Sequence, residues 1–112
     1  MESFRIYFNR RKQWLGIYLH DVTPETFKVQ GGGRWGYFLP KWERGRKGEF
    51  GEVHLVKSRV RPDLIVHEMF HVVCEWIRAG RATLSPRNEE RMAELLDELV
   101  RKFYREYEKG NE

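Results

Sequence analysis

At 112 residues the chain has room for one hydrophobic core but not two, and its 14 % aromatic content with only ten Gly and four Pro excludes a disordered or collagen-like polymer. One cysteine, Cys74, excludes an internal disulfide and a thiolate cluster for metal, which leaves it a packing role. Lys and Arg number 21 against 17 Asp and Glu, a formal net charge of +4 with the excess at residues 5–12 and 34–47, suited to phosphate backbones, to acidic protein surfaces or simply to a solvated face.

No run approaches the length of a membrane span, and the first residues lack the apolar stretch of a signal peptide. A cytoplasmic, single-domain protein over 1–112 is expected. Residues 1–57 read as strand-rich. Segments 4–8 and 14–19 carry aromatic and β-branched residues, and the polar 9–13 between them suits a hairpin connection. Asp21 to Pro24 breaks the pattern, and a third strand is expected over 26–30, ending at the turn Gly31-Gly32-Gly33. A fourth strand over 36–40 is closed by Pro40, and the charged, glycine-rich 41–51 reads as a mobile surface loop. Residues 52–57 alternate cleanly, with Val53 and Leu55 on one face and Glu52, His54 and Val56 on the other; a half-buried strand at a sheet edge is expected.

The next stretch, about 62–79, reads as a helix. Pro62 suits its first turn, Asp63 complements the positive end of its dipole, and Gly80 stops it. It contains His67-Glu68-Met69-Phe70-His71. Residues four apart share a helix face, so His67 and His71 can grip one metal ion while Glu68 stands near the open position as general base. In a shuffled chain of this composition such a motif arises about once in a hundred, so the flanks matter. Leu64, Ile65, Val66, Met69, Phe70, Val72 and Val73 make the helix apolar nearly all round, which predicts burial on most of its circumference. A second helix is expected from Pro86, capped by Ser85, to about residue 107. Its apolar stripe is Met92, Leu95, Leu96, Leu99, Val100 and Phe103, and Glu98 with Lys102 is a supporting pair.

A catalytic zinc takes three protein ligands and leaves one position for water. No histidine follows His71, and Glu75 lies about 12 Å along the axis from His67, so the third ligand is expected on the second helix at Glu89 or Glu90. The apolar stripe places Glu89 nearer the buried face.

From about residue 52 to 104 the chain resembles the HExxH zinc peptidases whose third ligand is a glutamate on a following helix, the gluzincins. It is most similar to the small, single-domain kind carried by phages and mobile elements, and more distantly to the ImmA/IrrE group. In that family an acidic residue follows the ligand glutamate by four positions, with apolar residues at set positions beyond it. Counting from Glu90 gives Glu94 as that acid, whereas counting from Glu89 gives Ala93. The resemblance therefore implies Glu90 as ligand and Glu94 as its support. It implies a minimal zincin-like α+β fold, a small and mostly antiparallel sheet packed on two long helices. It also implies a zinc metallopeptidase with one Zn²⁺ per chain, latent or narrowly specific, acting on a peptide or protein substrate.

An oxyanion donor is also needed, with His54, Tyr37 and Arg59 as candidates. Strand 52–57, as an edge, would pair with extended substrate, and with the aromatic surplus it would allow a dimer. The competing reading is a basic nucleic-acid- or protein-binding module with a structural or vestigial metal site. Its support is the Arg-rich first half with Trp14, Trp35, Tyr37 and Trp42 interleaved. The two readings join in a peptidase whose basic half recruits it to an acidic or DNA-bound target.

Overall fold

The structure, a computed structural model, describes residues 2–29, 35–43, 45–80 and 83–110. The Gly31-Gly32-Gly33 turn lies outside the described residues. Aromatic and β-branched runs form β1 (Glu2–Phe8) and β2 (Gln13–His20), an antiparallel hairpin in which Phe4 faces Ile17 and Ile6 faces Leu15. Strands β3 (Gly36–Pro40) and β4 (Glu49–Val56) pair antiparallel, Phe38 opposite Val53. The sheet order is β1-β2-β4-β3, with β2 and β4 parallel. The protein is thus α+β with a mixed four-stranded sheet.

Some expectations change at this level. Of the strand expected over 26–30, residues 26–29 contribute to no strand, and Gln30 lies outside the described residues. A short helix, α1 (Pro24–Val29), occupies this place because Thr23 caps it: its hydroxyl accepts from the Thr26 N–H at 3.2 Å and its carbonyl from Phe27 N–H at 3.0 Å. Two of the three strand pairings are antiparallel, as expected, and the sheet is mixed because α1 and β3 intervene between β2 and β4 and return the chain in the direction of β2. And β4 is an inner strand, so the sheet edge beside α2 (Pro62–Ala79) belongs to β3. The strand also starts earlier than expected. The turn ahead of it is held by Gly45 N–H to the Lys41 carbonyl at 2.6 Å and Glu49 N–H to the Arg46 carbonyl at 2.8 Å.

Helices α2 and α3 (Pro86–Gly110) pack on the face of the sheet that presents Ile6, Phe8, Leu15, Ile17, Phe50, Val53 and Leu55. Leu64, Ile65, Met69, Val72 and Val73 of α2 and Leu95, Leu99 and Phe103 of α3 complete this core. The Ser85 hydroxyl accepts from Asn88 N–H at 3.2 Å, the expected cap of α3, and Lys102 bridges Glu98 at 3.0 Å and the carbonyl of Tyr7. Gly51 is required where it stands: a Cβ there would come within 2.4 Å of the Phe38 ring and 2.6 Å of the Leu39 carbonyl. The opposite face of the sheet is covered in part by α1, whose Phe27 ring lies 5.5 Å from His20 and 5.7 Å from Tyr37. No helix among the described residues is long and apolar enough to cross a membrane.

Candidate metal centre

Helix α2 is not buried most of the way round. Its N-terminus is set by Pro62 and its end by Gly80, whose N–H donates to the Trp76 carbonyl at 3.1 Å. One side faces the core; the other leaves Val66, His67, Phe70 and His71 exposed, Phe70 by half. The two imidazoles therefore stand on an open ridge, while Glu68, one residue round the helix, turns inward.

The ridge has the geometry of a chelating pair. His67 Nε2 and His71 Nε2 lie 3.3 Å apart with the rings at 80°. Two nitrogens each about 2.0–2.1 Å from one tetrahedral ion would lie about 3.3–3.4 Å apart, whereas a nitrogen–nitrogen hydrogen bond is usually shorter. The donor set fits two of the positions of a zinc ion. Glu68 is 4 % exposed and makes no hydrogen bond among the described residues. Burial pushes its carboxyl above the usual carboxylate range, and the neighbouring His67 and His71 pull it partly back. The opposite wall explains how the carboxylate fits. Gly36 of β3 faces it, and a Cβ there would stand 3.4 Å from Glu68 Cγ and 3.0 Å from the His54 carbonyl.

Between α2 and β3 runs a cleft of about 710 Å³ lined by Trp35 to Phe38 on one side and by His67, Glu68 and His71 on the other. Glu75 closes one end, its two oxygens taken by the Trp42 indole N–H at 3.1 Å and by Arg78 at 2.9 Å.

The remaining predicted residues are elsewhere. Among the described residues, no third His, Cys, Asp or Glu joins His67 and His71 in a group able to hold an ion. Glu90 and Glu94 are exposed on α3 and line no part of the cleft, whereas Glu89 lines a shallow apolar groove beside Phe70, Val73 and Leu84 of the α2 side. His54 is not a free donor. Its ring lies on the other face of the sheet, stacked between Tyr18 at 4.8 Å and Tyr37 at 4.6 Å. Both of its nitrogens are engaged, Nδ1 with His20 Nε2 at 2.7 Å and Nε2 with Glu52 Oε1 at 2.9 Å, and Lys41 pairs with the other Glu52 oxygen. Burial raises the Glu52 carboxyl, but the hydrogen bonds from Lys41 and His54 outweigh it and hold the group below its usual range. His20 is lowered, by burial first and then by the charge of His54. The chain Lys41–Glu52–His54–His20 escapes sequence reading because it needs the parallel pairing of β2 with β4. Of the three proposed donors, Tyr37 is itself among the residues that line the cleft, and Arg59 stands against a cleft residue, its guanidinium 5.1 Å from the Trp35 ring centre.

Compared with known proteins, the chain matches no family model, no curated protein and no solved structure.

Proposed function

We propose that this protein is a zinc-dependent peptidase of minimal zincin-like, gluzincin-type build. The observation that carries the reading is the 3.3 Å separation of His67 and His71 Nε2 beside the Glu68 carboxyl, all on one wall of a cleft. Two imidazole nitrogens and a carboxyl on one wall are a donor set that suits a divalent cation. His67 and His71 would hold the ion; the third donor, expected from the start of α3 at Glu89 or Glu90, is not beside them in this structure, where neither lines the cleft. Zinc at such a site supplies a Lewis acid that polarises a carbonyl and makes water acidic near neutral pH.

The chain's own residues supply the rest. Glu68 accepts a proton from the attacking water and delivers it to the leaving amine, the role for which a carboxyl raised toward neutrality is matched. β3 is the edge strand beside the cleft, so an extended substrate adds to it through backbone hydrogen bonds with its scissile bond opposite the histidine ridge. Tyr37, which lines the cleft, and Arg59, held over Trp35, are the donors available to a developing oxyanion.

The test is metal content by mass spectrometry on protein purified without added metal, for the parent, Glu89→Ala and Glu90→Ala, followed by cleavage of a mixed peptide library by the parent and Glu68→Gln. One zinc per chain, weakened by one of the two alanine substitutions, with cleavage lost and zinc retained in Glu68→Gln, is the expected result. A parent that takes up no zinc when it is supplied refutes the reading.

A further inference from the structure

The basic residues of the first half are not spread evenly over the surface. The β1–β2 turn, residues 9–12, and the last part of the β3–β4 connection, residues 45–48, together carry five cations and no carboxylate, Glu43 standing earlier in that connection. The fold joins them at one end of the sheet. Trp14 N–H donates to the Gly48 carbonyl at 2.9 Å and the Trp14 indole N–H to the Lys47 carbonyl at 3.2 Å, while a Cβ on Gly48 would lie 3.1 Å from the Lys12 carbonyl. Arg10, Arg11, Lys12, Arg46 and Lys47 are all exposed there, with Arg5 of β1 beside them. The nearest acid in sequence, Glu49, is buried and already holds Arg46 through its backbone N–H at 3.1 Å and its guanidinium at 3.6 Å.

Two features show that these cations are arranged. Asn9, Arg10 and Arg11 sit in succession at φ 52°, 57° and 66°, a left-handed turn that costs an arginine on the order of 1–2 kcal/mol. Asparagine or glycine would relieve that cost, yet arginine stands there. Three guanidiniums are also laid on aromatic rings: Arg5 at 3.8 Å and Arg46 at 4.9 Å from the centre of Trp14, and Arg11 at 4.9 Å from Tyr7. Stacking fixes the plane of a guanidinium and, in Arg5 and Arg11, leaves its N–H edge for a bidentate anion such as phosphate, while the Arg46 edge is shared with Glu49.

The surroundings discriminate between polyanions. A stable contact with an acidic protein needs an apolar centre. The large exposed hydrophobics among the described residues are Leu39, Trp42, Val66, Phe70 and Leu84; none falls within 9–12 or 45–48, and Trp42, earlier in the β3–β4 connection, has its indole N–H tied to Glu75 of α2 at 3.1 Å. Base stacking needs an open ring, and Trp14 is 6 % exposed beneath its arginines. Binding through phosphates needs neither, since charge alone supplies it.

We propose that the joined turns 9–12 and 45–48, with Arg5, are a docking surface for the phosphate backbone of nucleic acid, without base readout. The surface is separate from the histidine ridge and does not depend on metal.

The test is fluorescence anisotropy of the full chain with a labelled 20-base-pair DNA duplex and a 20-nucleotide single strand, in chelator, from 25 to 200 mM KCl. The expected result is binding with no sequence preference and a duplex log–log salt slope of about −3.6 to −4.5, that of four or five phosphates at about 0.9 each. The double variant Arg10→Asn/Arg11→Asn keeps the left-handed turn while removing two cations. It should lower the slope by about 1.8 and weaken binding on the order of tenfold to a hundredfold at 50 mM salt. Lys12→Gln/Lys47→Gln should do the same without touching the left-handed turn, and Arg105→Asn, exposed on α3, should change neither quantity. Absence of binding at 25 mM salt overturns the proposal. So does an unchanged slope in both folded double variants, or binding to polyglutamate in place of nucleic acid.

Discussion

Replacing Glu68 by glutamine should make the metal-free protein relatively more stable as the pH rises. The side chain is 4 % exposed, lies against Gly36 and has no hydrogen bond among the described residues, and burial raises its carboxyl above the unfolded value of about 4.5. Between the unfolded and folded values the native state holds the proton more tightly. Stability therefore falls as pH rises through that window and stays at its lower level above it. Each unit by which the carboxyl is raised corresponds to about 1.4 kcal/mol of lost stability at neutral pH. Glutamine fills nearly the same volume and cannot ionise. Burying its amide adds an offset of about 1–3 kcal/mol, but that offset does not vary with pH and cancels in the comparison. Urea unfolding followed by tryptophan fluorescence, in chelator and at steps from pH 4 to 8, gives the free-energy gap between parent and variant. The gap should move in favour of glutamine with increasing pH and level off above the folded value. A gap that is constant across the series would refute the reasoning, because it would mean that the carboxyl ionises as freely in the native state as in the unfolded one.

Zinc at a hundredfold excess over its dissociation constant should stabilise the parent by about 2.7 kcal/mol, and His67→Ala or His71→Ala should abolish the response; calorimetric melting with and without zinc reads this directly. Gly51→Ala forces a methyl into the Phe38 ring and the Leu39 backbone, and should cost about 1–3 kcal/mol in denaturant unfolding. Gly80→Ala, whose Cβ would meet nothing closer than 3.5 Å, should be neutral or stabilising by about 0.4–1 kcal/mol. His20 is lowered in the folded protein, so its contribution to stability is present above the unfolded value of 6.5 and is lost as pH falls through its folded value. His20→Gln should flatten the parent's loss of stability below pH 6.5 in a series of thermal melts.

Local chemistry settled the parts of this protein that local chemistry can settle. Helix α2 was legible from Pro62, Asp63 and Gly80, and the His67–His71 juxtaposition from the four-residue helical repeat alone, because a helix fixes those side chains relative to one another without help from the rest of the chain. Likewise Ser85 and the stripe through Leu95, Leu99 and Phe103 placed α3, although it runs to Gly110 rather than to about 107. The β1–β2 hairpin followed from two apolar runs around a polar turn.

What the tertiary structure decided depends on pairings between distant segments. Whether residues 52–57 lie inside the sheet or at its edge is set by which strands flank them. That pairing moved the sheet edge beside α2 to β3 and drew His54 into a stack with Tyr18 and Tyr37. Residues 26–30 alternate well enough for a strand, but the Thr23 cap and the docking of Phe27 against His20 and Tyr37 made residues 24–29 helical. The open ridge of α2 has the same origin. Helix packing on one sheet face can bury only one side of an apolar helix, and α3 took the flank beside Val73, leaving Val66 and Phe70 exposed with the two histidines. Single-sequence pattern gives the period of a side chain along its own element; which neighbour that side chain meets is fixed only when the elements assemble.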